Sequence, residues 1–186
     1  MRIRHQQLKR LVAEKGSDVS ALGSAVERDG LKGDRAAKAV RNWMRGSDHP
    51  RCTAADIRAL AGELGVEIAE IARFESTVQY HRGSPQKARL VADEIRGKSI
   101  DSALSVLRFS TKRAATNIQK ALEAAVADAS LEEVDGSELV VAVSRVDEGS
   151  HIKRFRPKDR GRAHPILKQT SHITIGLERP VAVAAG

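Results

Sequence analysis

The sequence predicts an α+β protein in two parts: a small all-α module over about residues 1–74, and a mixed region over 75–186. Three observations predict it. Five short apolar-faced segments with glycine or capping punctuation fill the first part, and none of them shows a strand pattern. Composition shifts after Phe74 to a run that favours strand. The last third alternates apolar and polar residues on both sides of one long basic stretch. Helices grouped before strands are the sequence signature of an α+β fold.

In order along the chain, Leu8, Leu11 and Val12 begin an apolar face that stops at Gly16. Ser17 reads as the N-cap of a second helix with Val19, Leu22 and Val26 on one face. Asp29-Gly30 and Lys32-Gly33 break the pattern. Asp34 then caps a third helix, Arg35 to Arg45, closed by Gly46. Thr53 with Asp56 forms a capping box ahead of Ile57, Leu60, Ala61 and Leu64. Gly65 ends that helix, and Val66 to Phe74 is expected to add one more. Glu75 to His81 suits a strand. Ser84-Pro85 then starts a helix with Ala88, Val91, Ala92 and Ile95 inward, ending at Gly97. A shorter helix turns Ala103, Leu104, Val106 and Leu107 inward. Ser110 is expected to cap a long one carrying Ala115, Ile118, Leu122 and Ala125. After an acidic loop around Glu132, Glu133 and Asp135, Leu139, Val141 and Val143 line one strand face. Leu167, Ile173, Ile175 and Leu177 line another, and the tail after Glu178 reads as a frayed end.

The 186 residues carry a net charge of +8, with 32 Lys and Arg against 24 Asp and Glu. No apolar run approaches the roughly 18 residues that span a bilayer, so no membrane role is expected. One cysteine rules out an internal disulfide framework and fits a reducing compartment. Six scattered histidines lack metal-ligand spacing. Neither a nucleophile elbow, a paired carboxylate nor a phosphate-cradling glycine loop is present, so no enzyme, cofactor or metal site is expected. Seven bases (Lys153, Arg154, Arg156, Lys158, Arg160, Arg162 and Lys168) crowd between His151 and Lys168 against one acid, Asp159. The connection they occupy, about 147–165, is longer than most hairpin loops. It is expected to become ordered only against a polyanion.

The stretch Ser84-Pro85-Gln86-Lys87-Ala88-Arg89-Leu90-Val91-Ala92-Asp93, with Ile95-Arg96-Gly97-Lys98, resembles the first helix of the bacterial large-subunit ribosomal protein family L-twenty-two. Later blocks resemble the same family in order and spacing. These are Val146-Asp147-Glu148-Gly149, Lys153-Arg154-Phe155-Arg156-Pro157, Arg160-Gly161-Arg162-Ala163 and Ile166-Leu167-Lys168-Gln169-Thr170-Ser171-His172-Ile173-Thr174. The resemblance spans about residues 75–178. It implies three helices on a small antiparallel sheet, with one hairpin, about 139–177, extended as a long basic arm. It also implies a cytoplasmic, ribosome-associated protein that binds large-subunit rRNA and touches neighbouring large-subunit proteins. Its arm tip would line the exit tunnel and meet the nascent peptide.

On that reading Lys153, Arg154, Arg156, Lys158, Arg160 and Arg162 are direct rRNA contacts, and Lys168 closes the same basic run. Phe155 offers a stacking face, while Pro157 and Gly161 shape the tip. His81, Arg82, Lys87, Arg89, Arg96 and Lys98 are second-rank contacts near the arm's base. Asp159, Pro165, Gln169 and Glu94 depart from the family pattern: the first three fall where that family is often basic or avoids an acid, the last where it is often apolar. The first 74 residues lie outside that family's core and resemble a Cro/phage-repressor helix-turn-helix module. The resemblance rests on Val40-Arg41-Asn42-Trp43-Met44-Arg45-Gly46 and Ile57-Arg58-Ala59-Leu60-Ala61-Gly62-Glu63-Leu64-Gly65-Val66. Arg35, Lys38, Asn42 and Arg45 are expected on its outward stripe, with RNA, DNA or a protein as partner. A DNA-binding regulator is therefore the alternative function.

Overall fold

The structure is a computed structural model and describes residues 1–180; most of the tail after Glu178, residues 181–186, lies outside the described residues. The chain forms two compact units. One comprises Met1–Phe74 with Leu131–Val134, the other Glu75–Ser130 with Asp135–Gly186.

In the first unit α1 (His5–Lys15), α2 (Val19–Ala25), α3 (Asp34–Met44) and α4 (Ala54–Leu64) pack around Leu8, Leu22, Val40, Trp43, Ile57 and Leu60. The capping box forms as read: Thr53 Oγ1 accepts from the Asp56 amide, and Asp56 accepts from the Thr53 amide at 2.8 Å. Arg28 closes on the same buried carboxylate at 3.1 Å. The far end of α4 is held by Lys15, whose ammonium donates to the carbonyls of Leu64 and Gly65. A cation there satisfies orphan carbonyls and complements the helix dipole. Glu132 returns to this unit through a two-pronged contact with Arg58, at 2.8 and 2.5 Å.

Several boundaries differ from the expected ones, each for a local reason. Asp18, not Ser17, caps α2, because its carboxylate reaches the Ser20 amide. Gly33 caps α3, which leaves Asp34 inside the first turn. The expected helix over 66–74 shrinks to one turn, α5 (Ile68–Ile71). From Ala72 the chain is strand, since Ala72 and Arg73 pair with Ile3 and Arg2 of β1 (Arg2–Ile3). Such a partner, about seventy residues away, leaves no trace in local periodicity.

The second unit takes up β2 (Ala72–His81) from Glu75 onward, then α6 (Pro85–Ile95), α7 (Ile100–Phe109) and α8 (Arg113–Ser130). Ser110 ends α7 rather than starting α8. Strands β3 (Val140–Glu148) and β6 (Ser171–Glu178) pair antiparallel from Val140↔Glu178 to Glu148↔Ser171, with a bulge between Val141 and Val143, and β6 lies between β2 and β3. Ala88, Val91, Ala92 and Ile95 of α6 are buried, as are Ala115, Ile118, Leu122 and Ala125 of α8 and Ile173, Ile175 and Leu177 of β6. The α-helical faces are rich in alanine, which lets them lie close to the sheet.

Beyond this core the same two chain segments continue as a separate ladder, β4 (Ile152–Pro157) with β5 (Ala163–Lys168). Three residues, 149–151, face two, 169–170, at the junction. The Gly149 amide donates to the Thr170 carbonyl, and Thr170 Oγ1 donates to the Ser150 carbonyl. A Cβ on Gly149 would sit 2.4 Å from Thr170 Oγ1. The stretch over 147–165, a long connection when read from its residues and a hairpin arm when read from the family resemblance, is a built hairpin whose backbone groups find partners across the ladder. Leu167, expected on the core face with Ile173, is instead 56% exposed, since the core ends at Thr170.

Candidate nucleic-acid interface

Every residue from Lys153 to Gln169 is exposed. Six paired residues at about 3.3 Å each carry this arm roughly 20 Å past the junction. Its register sorts the side chains. Ile152, Arg154 and Arg156 lie opposite Lys168, Ile166 and His164 on one face; Lys153, Phe155 and Pro157 lie opposite Leu167, Pro165 and Ala163 on the other. One face therefore carries three of the ladder's four Lys and Arg residues, and the other is mainly apolar, with Phe155 75% exposed.

Asp159, Arg160, Gly161 and Arg162 form the tip, where the Arg162 amide donates to the Asp159 carbonyl and the Lys158 amide to the Arg162 carbonyl at 2.7 Å. Arg160 (φ 56°, ψ 39°) and Gly161 (φ 70°) are both left-handed, the signature of a type I′ turn. Gly161 adopts this at no steric cost; Arg160 does so at roughly 1–2 kcal/mol. Counting back from the bonded pair Lys158–Arg162, Pro157 and Pro165 fall at non-hydrogen-bonded positions of the ladder. Neither proline removes a rung, so Pro165 needs no bulge. Asp159 has no ion-pair partner among the described residues, and Arg154 donates to the Lys153 carbonyl.

At the arm's root a cleft of about 430 Å³ is lined by Arg82, Ser84, Ile152, Arg154, Lys168 and Gln169, among others. It brings the loop before α6 together with both arm strands and places Arg82 beside Arg154 and Lys168. Ser84, at the N-cap of α6, and Gln169, just past β5, also line it, though the sequence alone does not mark either as a contact. Tyr80 (φ 55°) stands exposed nearby in sequence, its amide donating to His172 Nδ1 and its ring edge-on to that imidazole at 4.8 Å.

The second-rank residues divide. Lys87 is exposed and without a partner among the described residues, and Lys98 is half-buried. Arg89 donates to the Val146 carbonyl at 3.1 Å and Arg96 to the Ser144 carbonyl at 2.6 Å, with Arg96 also paired to Asp93. Both cover the free edge of β3, a strand edge that would otherwise invite pairing. His81 departs from its expected role. It is only 6% exposed and accepts a hydrogen bond from the Asn117 amide at Nδ1. Burial, and then the Arg113 charge, hold its pKa below the ordinary 6.5, so the ring is neutral and joins β2 to α8.

In the first unit Arg35, Lys38 and Arg45 are exposed on α3, but Asn42 is not free, its amide donating to the His49 carbonyl at 2.8 Å. Trp43 is core, donating to the Pro50 carbonyl. The exposed stripe runs instead through Lys38, Arg41 and Arg45. Arg41 is recoverable from the sequence, since Ala36, Val40 and Trp43 fix the buried side and place Arg41 opposite it. Residues 26–33 separate α2 from α3, twice the three or four residues of a helix-turn-helix connection.

A family profile described as "Ribosomal protein L22p/L17e" matches residues 76–178, more than half of the chain. The chain belongs to this family. The large ribosomal subunit protein uL22 of Rubrobacter xylanophilus is 50% identical over 114 residues, covering 61% of this chain and 90% of that protein. As an L22-family protein the chain is a structural constituent of the large ribosomal subunit and not an enzyme. Residues 1–75 lie outside the matched region, and with them the whole of α1 to α5.

Proposed function

We propose that the second unit binds large-subunit rRNA, that the β4–β5 arm threads between RNA segments, and that its tip faces the nascent peptide in the exit tunnel. The observation that carries this reading is the arm itself: a two-stranded ladder with no core beneath it and one cationic face. Isolated hairpins are marginal in water. Packed RNA supplies what this one lacks, phosphates for Arg154, Arg156, Arg160 and Arg162 and base surfaces for Phe155. The basic cleft at the root, with Arg82, Arg154 and Lys168, would seat a phosphate where the arm leaves the globular part. Neighbouring large-subunit proteins would meet the surfaces that the RNA leaves uncovered.

Sedimentation of a cell lysate on a sucrose gradient, with and without ribonuclease, tests the reading. The protein should travel with large subunits and be released by RNA digestion. Slow sedimentation indifferent to ribonuclease would refute it. Replacing Arg154, Arg156, Arg160 and Arg162 together by alanine should impair incorporation, and normal incorporation of that variant would refute the role given to the arm.

A further inference from the structure

The first unit carries a charge pattern that its own fold does not use. Most of its cations outside residues 32–45 are engaged internally. Arg2 meets Asp48, Arg10 meets Glu14, Arg28 meets Asp56, Arg58 meets Glu132, and Lys15 holds the end of α4. Lys32, Arg35, Lys38, Arg41 and Arg45 differ: all five are exposed, and none has an acidic or carbonyl partner among the described residues. Asp34 is the one acid in the same stretch. Lys38 and Arg41 of α3 and Arg45 at its C-cap share a face, rising about 10 Å along the axis at 1.5 Å per residue. Behind them Ala36, Ala39, Val40 and Trp43 are buried, so the stripe is fixed on a packed helix rather than on a mobile loop.

We infer that this face of α3 is a separate RNA-docking surface, binding the phosphates of an RNA duplex through Lys38, Arg41 and Arg45 with Arg35 at its margin. Three cations at intervals of about one turn match a polyanion whose charges repeat every few ångströms. Phosphate binding is favoured over the reading of a DNA operator. Asn42, the side chain on this helix suited to pair with adenine, is committed to His49, and the long connection before α3 is not that of a groove-reading module. The choice of RNA over DNA rests on the ribosomal role proposed above.

The test uses the full chain and a labelled mixed-sequence RNA duplex about two turns long, with affinity followed against salt. The variant Lys38→Gln/Arg41→Gln/Arg45→Gln should lower the slope of log K against log salt by about 2–3, roughly 0.9 for each phosphate left without its cation. The charge-keeping variant Lys38→Arg/Arg41→Lys/Arg45→Lys should leave the slope as it is, which separates lost charge from lost folding. An unchanged slope in the glutamine variant overturns the inference. So does an equal or tighter α3-dependent affinity for DNA of the same sequence, or displacement by polyglutamate ahead of RNA. The alanine variant at Arg154, Arg156, Arg160 and Arg162 is measured in parallel. Weaker binding there with none in the α3 variant refutes this inference alone; the reverse refutes the arm reading alone.

Discussion

Two helical glycines in the first unit should respond to alanine with opposite signs. Gly62 lies exposed in α4, and a Cβ there would meet nothing within 4 Å. Gly62→Ala therefore gains helix propensity and reduces unfolded-state freedom, for about 1 kcal/mol of stabilisation. Gly23 lies buried in α2, where a Cβ would stand 2.8 Å from the Ala37 nitrogen and 2.9 Å from its Cα. Those are backbone atoms of α3 and cannot swing aside. Restoring ordinary contact needs the two helices to part by roughly half an ångström or more, an overpacking cost of about 1–3 kcal/mol. Set against the same propensity gain, the net is a loss of up to about 2 kcal/mol. Trp43, the single tryptophan and part of the core beside these helices, makes its fluorescence in a urea titration specific to this unit. At a slope of about 1–3 kcal/mol per molar urea, the two midpoints should move in opposite directions by several tenths molar. A stabilised Gly23→Ala would refute the close approach of α2 to α3.

Other consequences are as direct. His81 is neutral when folded and its pKa lies below the unfolded 6.5, so unfolding takes up a proton below that value. Stability should hold above about pH 7 and decline as pH falls through 6.5 toward the folded pKa; His81→Gln should flatten that decline in thermal melts between about pH 7 and 5. Burial, with Asp56 and Asp48 adding to it, pushes the Cys52 thiol up to about 12. A thiol reagent should leave the folded protein untouched and react in step with the loss of Trp43 fluorescence; rapid labelling of the native chain would contradict the packing. Asp56→Ala removes the capping box and the ion pair to Arg28, which is one-third exposed and keeps the Thr53 hydroxyl and the Arg51 carbonyl as acceptors, so a loss of about 1–2 kcal/mol is expected by the same urea assay.

What the sequence discloses follows from how local each signal is. The Thr53–Asp56 box, the proline at the head of α6 and the alanine-rich face of α8 are short-range patterns, and the structure keeps them. Ala72 to Phe74 reads as helix because its strand partner sits at the other end of the unit, beyond the reach of local periodicity. The hairpin over 152–168 reads as a loop from its own residues, and as an arm only through the family resemblance, because its order comes from cross-strand bonds and not from an apolar stripe. His81 reads as a surface contact beside Arg82, yet its side chain points from the end of β2 to Asn117. For α3 the difference is one of phase: Ala36 and Ala39 are buried along with Val40, which turns Arg41 outward in place of Asn42.

The junction at Gly149 and Thr170 sets the aim of everything beyond it. The two strands there are about 4.8 Å apart, while the arm they support reaches roughly four times as far. If the Thr170 hydroxyl keeps its bond to the Ser150 carbonyl, a methyl group on Gly149 pushes one side by about half an ångström, which becomes about 2 Å at Arg160. The arm works as a lever with a short heel. Where its far end points is decided by the clearance beneath one hydroxyl.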